Sequence, residues 1–485
     1  MKELVLLMAF SIPTIGAAWQ SIGRMVGIPQ PAAIASYDAV SSTGKRKSPS
    51  VDRRSEDSIL NTASRSKLQA SSNDLHRNYA LAAWALRRHL DYVASFGFQC
   101  QSSDKEFNSE VERLMEDWGT RADIAGRHRI GKLIRLNEAR ATLDGDAGWL
   151  LIDQDDGRLQ GIESDRIRNP DDATAGKSGN WVHGVQVDKA GKALGYALHS
   201  RVENGFAFER VIPAQNLVMR GYFDRYDQVR GISPLAAAVN TLRDTYENID
   251  YALAKAKISQ LLGFKVTRDG TGQFAPTAEE GDGYKIDFGR GPVFLDMNPG
   301  EDASFLNANT PTNEFQQFMQ AAIMLSLKAL DIPYSFFDES HTNFFGSRGA
   351  WLHYERAARN KREDNQACLD RVTRWLFTLW IRDGKLPSSV DPSRKFWSWI
   401  PRGMPWWKPT EEIAGTLAAI GAGLDHPQRA CEEADRGDVF ENIDKTAEVM
   451  KYAQEKLGPY GMALSFMPQP ITAQPLEQPP GKVKV

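Results

Sequence analysis

Catalytic and metal-binding proteins carry particular residue types at particular intervals, and this sequence holds only fragments of such patterns. Gly176-Lys177-Ser178 matches the end of a phosphate-binding P-loop. That loop needs an earlier glycine and an apolar strand leading into it, but position 171 is Asp and no such strand precedes it. The stretch reads as a surface turn. Gly270, Gly272 and Ala275 fit the loose dinucleotide fingerprint, but Pro276 and a polar run follow where that motif requires a helix. The histidines, His76, His89, His128, His183, His199, His341, His353 and His426, show no H-E-x-x-H or other ligand spacing. His353 with Glu355 reads as an exposed helical face. Gly346-Ser347-Arg348-Gly349 lacks the spacing of a nucleophile elbow. Asp153, Asp155 and Asp156 start like a calcium loop, yet the glycine falls at the fifth position and no glutamate at the twelfth, so a turn is expected. Cys100, Cys368 and Cys431 stand far apart without C-x-x-C, as small buried hydrophobes of a reducing compartment would. No catalytic residue, cofactor or metal is assigned, and an enzyme is not expected.

The chain is long enough, at 485 residues, for two or three domains and a sizeable core. Lys+Arg 59 against Asp+Glu 62 lacks the basic balance of a protein that grips duplex DNA statically. Any DNA contact is expected to be local or transient. Leu4 to Trp19 is apolar behind Lys2 and ends in Gly16-Ala17-Ala18, like a signal peptide. Ser11, Pro13 and Thr14 interrupt it, and it is shorter than the roughly 20 residues of a membrane span. A flexible or partner-bound arm, or a start upstream of a true one at Met25, is the simpler expectation, with no membrane partner.

The strongest periodic element is a helix over Ser233–Leu262. Leu235, Val239, Leu242, Tyr246, Ile249, Leu253 and Ala256 alternate spacings of four and three, a heptad seam. Ser233 suits the N-cap and Pro234 the first helical position. Residues 36–72 are polar and Ser-rich, and a segment of this composition is expected to be an arm or linker. Helices are expected from about Leu75 to Gly97, Lys105 to Trp118 and Arg127 to Asp144. Short alternating runs follow, with a hairpin turn at Asp188–Gly191, so residues 74–230 read as an α+β domain.

A β module over 263–311 separates the seam helix from a second amphipathic helix, 312–330, carrying Phe315, Phe318, Met319, Ala322, Ile323, Leu327 and Leu330 on one face. The simplest geometry is an antiparallel helix pair with a small β tip. Tyr334 to Gly349 reads as an unusually apolar loop. A helix over 350–383 interleaves Trp351, Tyr354, Ala358, Leu369, Val372, Leu376, Phe377 and Trp380 with Arg356, Arg359, Lys361, Arg362, Arg371 and Arg374. Its cations suit either a solvated face or contact with phosphate or an acidic neighbour. The Trp- and Pro-dense stretch Lys395–Pro409 reads as an irregular connector. A helical segment from about Thr410 to Gly458, broken at Gly421–Pro427, precedes a Pro-rich tail.

This order of elements resembles the portal proteins of tailed double-stranded-DNA bacteriophages, most closely the lambda-type family. Local motifs carry the resemblance: S-Y-D-A at Ser36–Ala39, L-H-R-N-Y-A-L-A at Leu75–Ala82, L-I-R-L-N-E-A-R-A-T-L-D-G-D at Leu133–Asp146 and R-Y-D-Q-V-R-G-I-S-P-L at Arg225–Leu235. D-I-P-Y-S at Asp331–Ser335, with Asp where the family has Gly, and W-W-K-P-T-E-E at Trp406–Glu412 add to it. The similarity runs from about Tyr37 to Leu457.

The resemblance implies an α+β portal-like architecture. Residues 1–73 would be an N-terminal arm, 74–230 the wing, 231–262 and 312–331 the two stem helices, and 263–311 the β clip. Residues 332–349 would be the tunnel loop, 350–409 a long helix returning through the wing, 410–462 a crown-like helical region and 463–485 a disordered tail. It implies a homo-oligomeric ring, a dodecamer in such proteins, at one capsid vertex of the virion, assembled in the host cytoplasm. Double-stranded DNA would pass through it without sequence specificity, with the terminase, the major capsid or scaffold protein and head–tail connector proteins as partners. Phe336, Phe337, Phe344, Phe345 and Arg348 are then candidates for the tunnel loop, the phenylalanines either constricting the channel or packing between subunits. Lys255, Lys257 and Lys328 are candidates for the stem and channel, and Lys265, Arg268 and Arg290 for the clip surface. Rival readings are another minor head or adaptor protein, or an enzyme with an unrecognised site.

Overall fold

The computed structural model describes residues 54–170, 180–203, 205–260, 264–268, 301–305, 313–338, 340, 344–403, 408–434 and 436–457. The Gly176–Ser178 turn, the Gly270–Ala275 fragment, Arg290, Trp406-Trp407, the apolar N-terminal stretch and the Pro-rich tail lie outside them. Of Lys265, Arg268, Phe344 and Phe345 only the backbone is described. The chain divides after Ser55, and the fold below is that of the unit beginning at Glu56.

The fold is α+β. Helix α1 (Thr62–Asn78) starts at Asn61, whose side chain accepts from the Ser64 amide. It corrects the expectation of an arm reaching residue 73. The composition there is polar because the socket is polar: Arg65 and Ser72 are buried on its inner face beside Leu75. Helix α2 (Ala80–Val93) follows after Tyr79 alone, which is extended at φ −114°, ψ 111°. One continuous helix was expected, and the break places the Tyr79 ring 5.3 Å from that of Tyr246. Strand β1 (Phe96–Cys100) leads to α3 (Lys105–Thr120), capped by Asp104 accepting from the Glu106 and Phe107 amides. Helix α4 (Ile130–Asp144) stops at Gly145, whose φ of 100° suits only glycine.

Strand β2 (Asp146–Ile152) is the centre of an antiparallel sheet between β3 (Arg158–Glu163) and β8 (Leu217–Gly221). An antiparallel meander holds β4 (Asn180–Val182), β5 (Val185–Val187), β6 (Ala193–Val202) and β7 (Gly205–Pro213). The β5–β6 turn is the Asp188–Gly191 stretch, with the Asp188 carboxylate accepting from the Ala190 and Lys192 amides. Leu150, Ile162, Val185, Leu198, Ile212 and Leu217 form the core the two sheets share.

After a 3-10 turn at Pro234–Ala237, helix α5 (Val239–Gln260) carries the seam. The first part of the seam is core, with Leu235 of the turn and Val239 and Leu242 of α5 buried, while further along Leu253 is 53% exposed. Strands β9 (Phe264–Arg268) and β10 (Glu301–Phe305) pair antiparallel between α5 and α6 (Asn313–Leu327), and α5 and α6 pack together. Helix α7 runs over Phe344–Arg382, so it begins six residues before the expected start at 350 and takes in Phe344 and Phe345. Gly346 and Gly349 suggested a loop, but they sit in its first turns, where Arg348 pairs with Glu412 of the following helix. The apolar spine of α7 is as its period indicated: Tyr354, Ala358, Leu369, Val372, Leu376, Phe377 and Trp380 are buried.

The Trp-rich connector is corrected in part to strand β11 (Trp397–Pro401), paired with β1. Alternate residues Trp397 and Trp399 point inward, donating their indole N–H groups to Asp370 at 3.0 Å and Thr373 at 2.9 Å. Helices α8 (Pro409–Gly421), α9 (Pro427–Glu433) and α10 (Val439–Leu457) end the described chain, and none of them contains a buried residue. A second break at 434–438 was not foreseen; there Asp438 caps α10 by accepting from the Phe440 and Glu441 amides.

Candidate functional site

The most elaborate polar construction lies where the sheet domain meets the start of α5, and two sequence motifs build it. Asp146, opening β2, and Arg230, four residues before Pro234, are each 1% exposed at the side chain. Arg230 reaches both carboxylate oxygens of Asp146, Nε to Oδ2 and Nη2 to Oδ1, at 2.7 Å each. Its remaining N–H groups go to the carbonyls of Ile167 (3.0 Å) and His183 (2.6 Å) and to the Ser164 carbonyl and hydroxyl. The planar fork of arginine is matched donor by donor, which lysine could not do.

Around this pair the chain is bolted at several points. The Gly231 amide donates to Asp146 Oδ2 at 2.8 Å. Gly145 and Gly231 meet backbone to backbone, and a Cβ on either would collide with the other's carbonyl. Arg65 of α1 donates to the Gly231 carbonyl at 2.7 Å, and Asp57 accepts from the Val229 amide at 2.7 Å. The Ser233 hydroxyl donates to the Thr142 carbonyl at 2.6 Å and accepts from the Leu235 amide. Gln69 and Asn73 complete the polar socket of α1, reaching the Asp144 carbonyl and carboxylate. The start of α5 is thus fixed to α4, β2 and α1 together.

A second buried hub lies beside the first. Glu138 of α4 is fully buried. Its Oε1 accepts from His89 of α2 at 2.9 Å and from the Tyr222 hydroxyl; its Oε2 accepts from Arg220 of β8 at 3.1 Å and Asn365 of α7 at 3.0 Å. One carboxylate ties four elements.

The electrostatics fit locked ion pairs. Burial acts to raise the Glu138 carboxyl, but Arg220 and the hydrogen bonds overcome it and hold the group at about 2. Asp146 is likewise held below the usual carboxylate range: burial opposes it, and the charge and hydrogen bonds of Arg230 prevail. Asp144, buried with weaker partners, is pushed up to about 6. Both hubs are closed, with every carboxylate oxygen committed to a donor, so the arrangement transmits position and offers no open face to a substrate. Among the described residues no group of three His, Cys, Asp or Glu is placed to hold a metal ion, and no helix is long and apolar enough to cross a membrane.

The residues singled out by sequence are not gathered into one site. Phe336 lies in a 3-10 turn and packs into the core, its ring 5.5 Å from Tyr92 and 5.3 Å from Tyr354. Where an apolar loop was expected, the chain at Phe336 makes a 3-10 turn. Phe337 is 44% exposed, edge-on to Trp84 at 5.8 Å. Phe344 and Phe345 begin α7, and Arg348 pairs with Glu412. Lys255 and Lys257 are exposed on α5, Lys328 is exposed after α6, and Lys265 and Arg268 are on β9. In the cation-rich α7, Arg362 is buried against Glu355 and the Tyr92 carbonyl, Lys361 pairs with Asp331 at 2.8 Å, and Arg371 donates to the Ala214 carbonyl. These cations are structural, while Arg356, Arg359 and Arg374 are exposed. Asp153 and Asp156 do form a turn, paired with Arg382 and Lys385.

A difference in burial gives an expected result. Phe336→Ser lowers stability by about 2 kcal/mol, because a packed ring is lost, whereas Phe337→Ser costs well under half of that. Denaturant unfolding midpoints of the two variants check the order.

The fold and its closed polar joint define a mixed α+β protein whose best-built site positions elements and has no open reactive face. The model of the lambda family of phage portal proteins matches residues 44–362, and the chain belongs to that family. Its members are structural proteins. No curated protein matches the chain. Among solved structures, the chain is similar to a chain in the neck of an empty GTA particle computed with C6 symmetry, at 16% identity and TM-score 0.45, covering 76% of this chain and 94% of that one. It is similar to one in the neck of a native GTA particle computed with C12 symmetry, at 18% identity and TM-score 0.43, covering 78% and 100%. It is also similar to an HK97-family phage portal protein from Corynebacterium diphtheriae, at 14% identity and TM-score 0.29, covering 61% and 84%.

Both family-like motifs, Leu133–Asp146 and Arg225–Leu235, converge on the polar joint. Read along the chain, the two motifs give no sign of this contact beyond charged residues flanking glycine in both, D-G-D at Asp144–Asp146 and R-G at Arg230-Gly231.

Proposed function

We propose that this chain is the portal subunit of a tailed-phage-like particle. About twelve copies form a ring at one capsid vertex, double-stranded DNA passes through it during packaging and ejection, and the terminase and later head–tail connector proteins dock on it. Residues 231–262 and 312–331 serve as stem, 263–311 as clip, 74–230 as wing and 410–462 as crown. Family membership supports this reading, and one structural observation carries it. The α5–α6 pair leaves large apolar side chains uncovered: Tyr251 and Leu325 are each 69% exposed, Phe318 61% and Leu253 53%. Apolar surface gathered on one helix pair in this way is expected to be covered by an assembly. The near-neutral chain suits a conduit, since many fixed cations would hold phosphates too firmly for DNA to slide. The chain acts as a structural channel component and not as an enzyme, in a virion-associated place.

Imaging of the purified protein by electron microscopy tests the reading. Closed rings with a central hole are expected, and a persistent monomer or dimer at high concentration would overturn it. Within the ring, Phe344 and Phe345, at the start of α7, are the remaining tunnel-loop candidates. Replacing them with Ser is expected to leave rings intact and impair packaging or DNA retention.

A further inference from the structure

Helix α6 presents two different apolar faces. One forms a wall of a groove of about 510 Å³ lined by Ile249 of α5, Phe315, Met319 and Ile323 of α6, and Tyr334 and Phe337 from the turn that follows. The other is a protruding pair, Phe318 and Leu325, 61% and 69% exposed. At about 100° per residue the protruding pair stands roughly 110° round the helix from the Phe315–Met319–Ile323 face, which corrects the expectation that Phe318 shares that face: Met319 is buried and Phe318 is not. The groove is therefore on one flank of the α5–α6 pair and the ridge on another.

We propose that the groove receives Phe318 and Leu325 of a second copy of this chain, as the repeating contact of the ring. This rests on the ring reading above and says which surfaces make the contact. Three properties of the surfaces carry it. A cyclic ring is built by a heterologous contact, in which each copy offers one surface to the neighbour on its left and a different one to the neighbour on its right. Two unlike apolar faces on one helix supply that need, whereas a two-fold dimer would use a single self-complementary face. The ridge also matches the groove in length. Phe318 and Leu325 are seven residues apart, about 10.5 Å along the helix, and the α6 wall from Phe315 to Ile323 runs about 12 Å. Finally, ridge and wall lie at nearly the same height on α6. In a ring whose axis runs parallel to α6, copies meet at equal height, and there a ridge far above or below the groove would not close the ring.

Two variants separate the partners of the contact. Phe318→Glu with Leu325→Glu removes the ridge from exposed positions and leaves the groove. Phe337→Glu charges the groove wall and leaves the ridge. Each variant alone is expected to sediment as a monomer under conditions where wild type forms rings. Mixed in equal amounts they are expected to give dimers and nothing larger, because one copy then has only a working groove and the other only a working ridge. Circular dichroism confirms that each is folded. Should Phe337→Glu not fold, the cysteine pair Gln316→Cys with Leu325→Cys replaces it. Oxidation is then expected to give a ladder of cross-linked oligomers ending at the closed ring. Rings from the ridge variant, or rings without any ladder from the cysteine pair, would overturn the assigned contact while leaving the ring itself standing. A monomeric wild type would overturn the ring and this contact with it.

Discussion

Arg230→Met is expected to destabilise the folded unit by about 3–5 kcal/mol, as breaking a buried ion pair from one side does. The loss is large because Arg230 leaves several groups stranded at once. The Asp146 carboxylate keeps the Gly231 amide and the Ser164 hydroxyl but loses two charge-assisted bonds, and the carbonyls of Ile167, His183 and Ser164 lose a donor. Arg230→Lys is expected to fall between the variant and wild type, since one ammonium cannot reach acceptors arranged round a planar fork. The informative comparison is the double variant Arg230→Met, Asp146→Leu. Removing both charges abolishes the stranded carboxylate, so the double variant is expected to be more stable than Arg230→Met alone. Denaturant midpoints of the three variants check this. If the double variant is the least stable of the three, the pair is not the centre of the joint.

The same joint shows what could be read from the chain and what could not. The spine of α7 was legible because Tyr354, Leu369, Val372, Leu376 and Trp380 recur at helical period within one segment, and burial follows period. The seam of α5 was legible as a stripe, though beyond Tyr246, which still meets Tyr79 of the core, it runs out to Leu253, which is 53% exposed. A stripe says that something packs there and does not say whose residues do. Asp146 and Arg230 are 84 residues apart, and no period links them. Helix α1 was hidden for a related reason: its inner face of buried Arg65 and Ser72 and half-buried Gln69 is chemically indistinguishable from a solvated one until its socket is known. Phe336 was misjudged in the opposite sense. Its aromatic neighbours Tyr92 and Tyr354 come from helices 244 residues upstream and 18 downstream, and only the fold reveals that a residue expected in a loop packs half-buried against the core. The β11 strand escaped because Pro392 and Pro401 bound a stretch whose alternation, Trp397 and Trp399, is only two residues long.

Glu138→Gln is the second change with a large expected effect, and pH separates its charge from its shape. Glu138 is held at about 2 in the folded chain against an ordinary 4.5. A displacement of that size corresponds to about 3 kcal/mol. The folded pKa is depressed, so this stability is fully present above about 4.5 and is lost as pH falls toward about 2, the unfolded chain taking up the proton first. Asp146, also depressed, acts in the same direction. Asp144 acts oppositely. Its folded pKa, about 6, lies above the ordinary 3.8, so the folded chain takes up that proton first and gains stability as pH falls from about 6 toward 4. Wild type is therefore expected to hold or slightly gain stability down to about pH 4.5 and then lose it steeply. Glu138→Gln keeps the shape and an acceptor oxygen but leaves Arg220 buried without its main counter-charge. It is expected to be less stable at pH 7 by several kcal/mol, and its acid limb is expected to be shallower, because a titrating group has been removed. Asp144→Asn, by contrast, should erase the small gain between pH 6 and 4 and leave the steep limb in place. Unfolding free energies at pH 7, 5 and 3 for the three chains decide the matter. An acid limb of unchanged steepness in Glu138→Gln would assign the acid loss to other carboxylates and remove Glu138 from the centre of the hub.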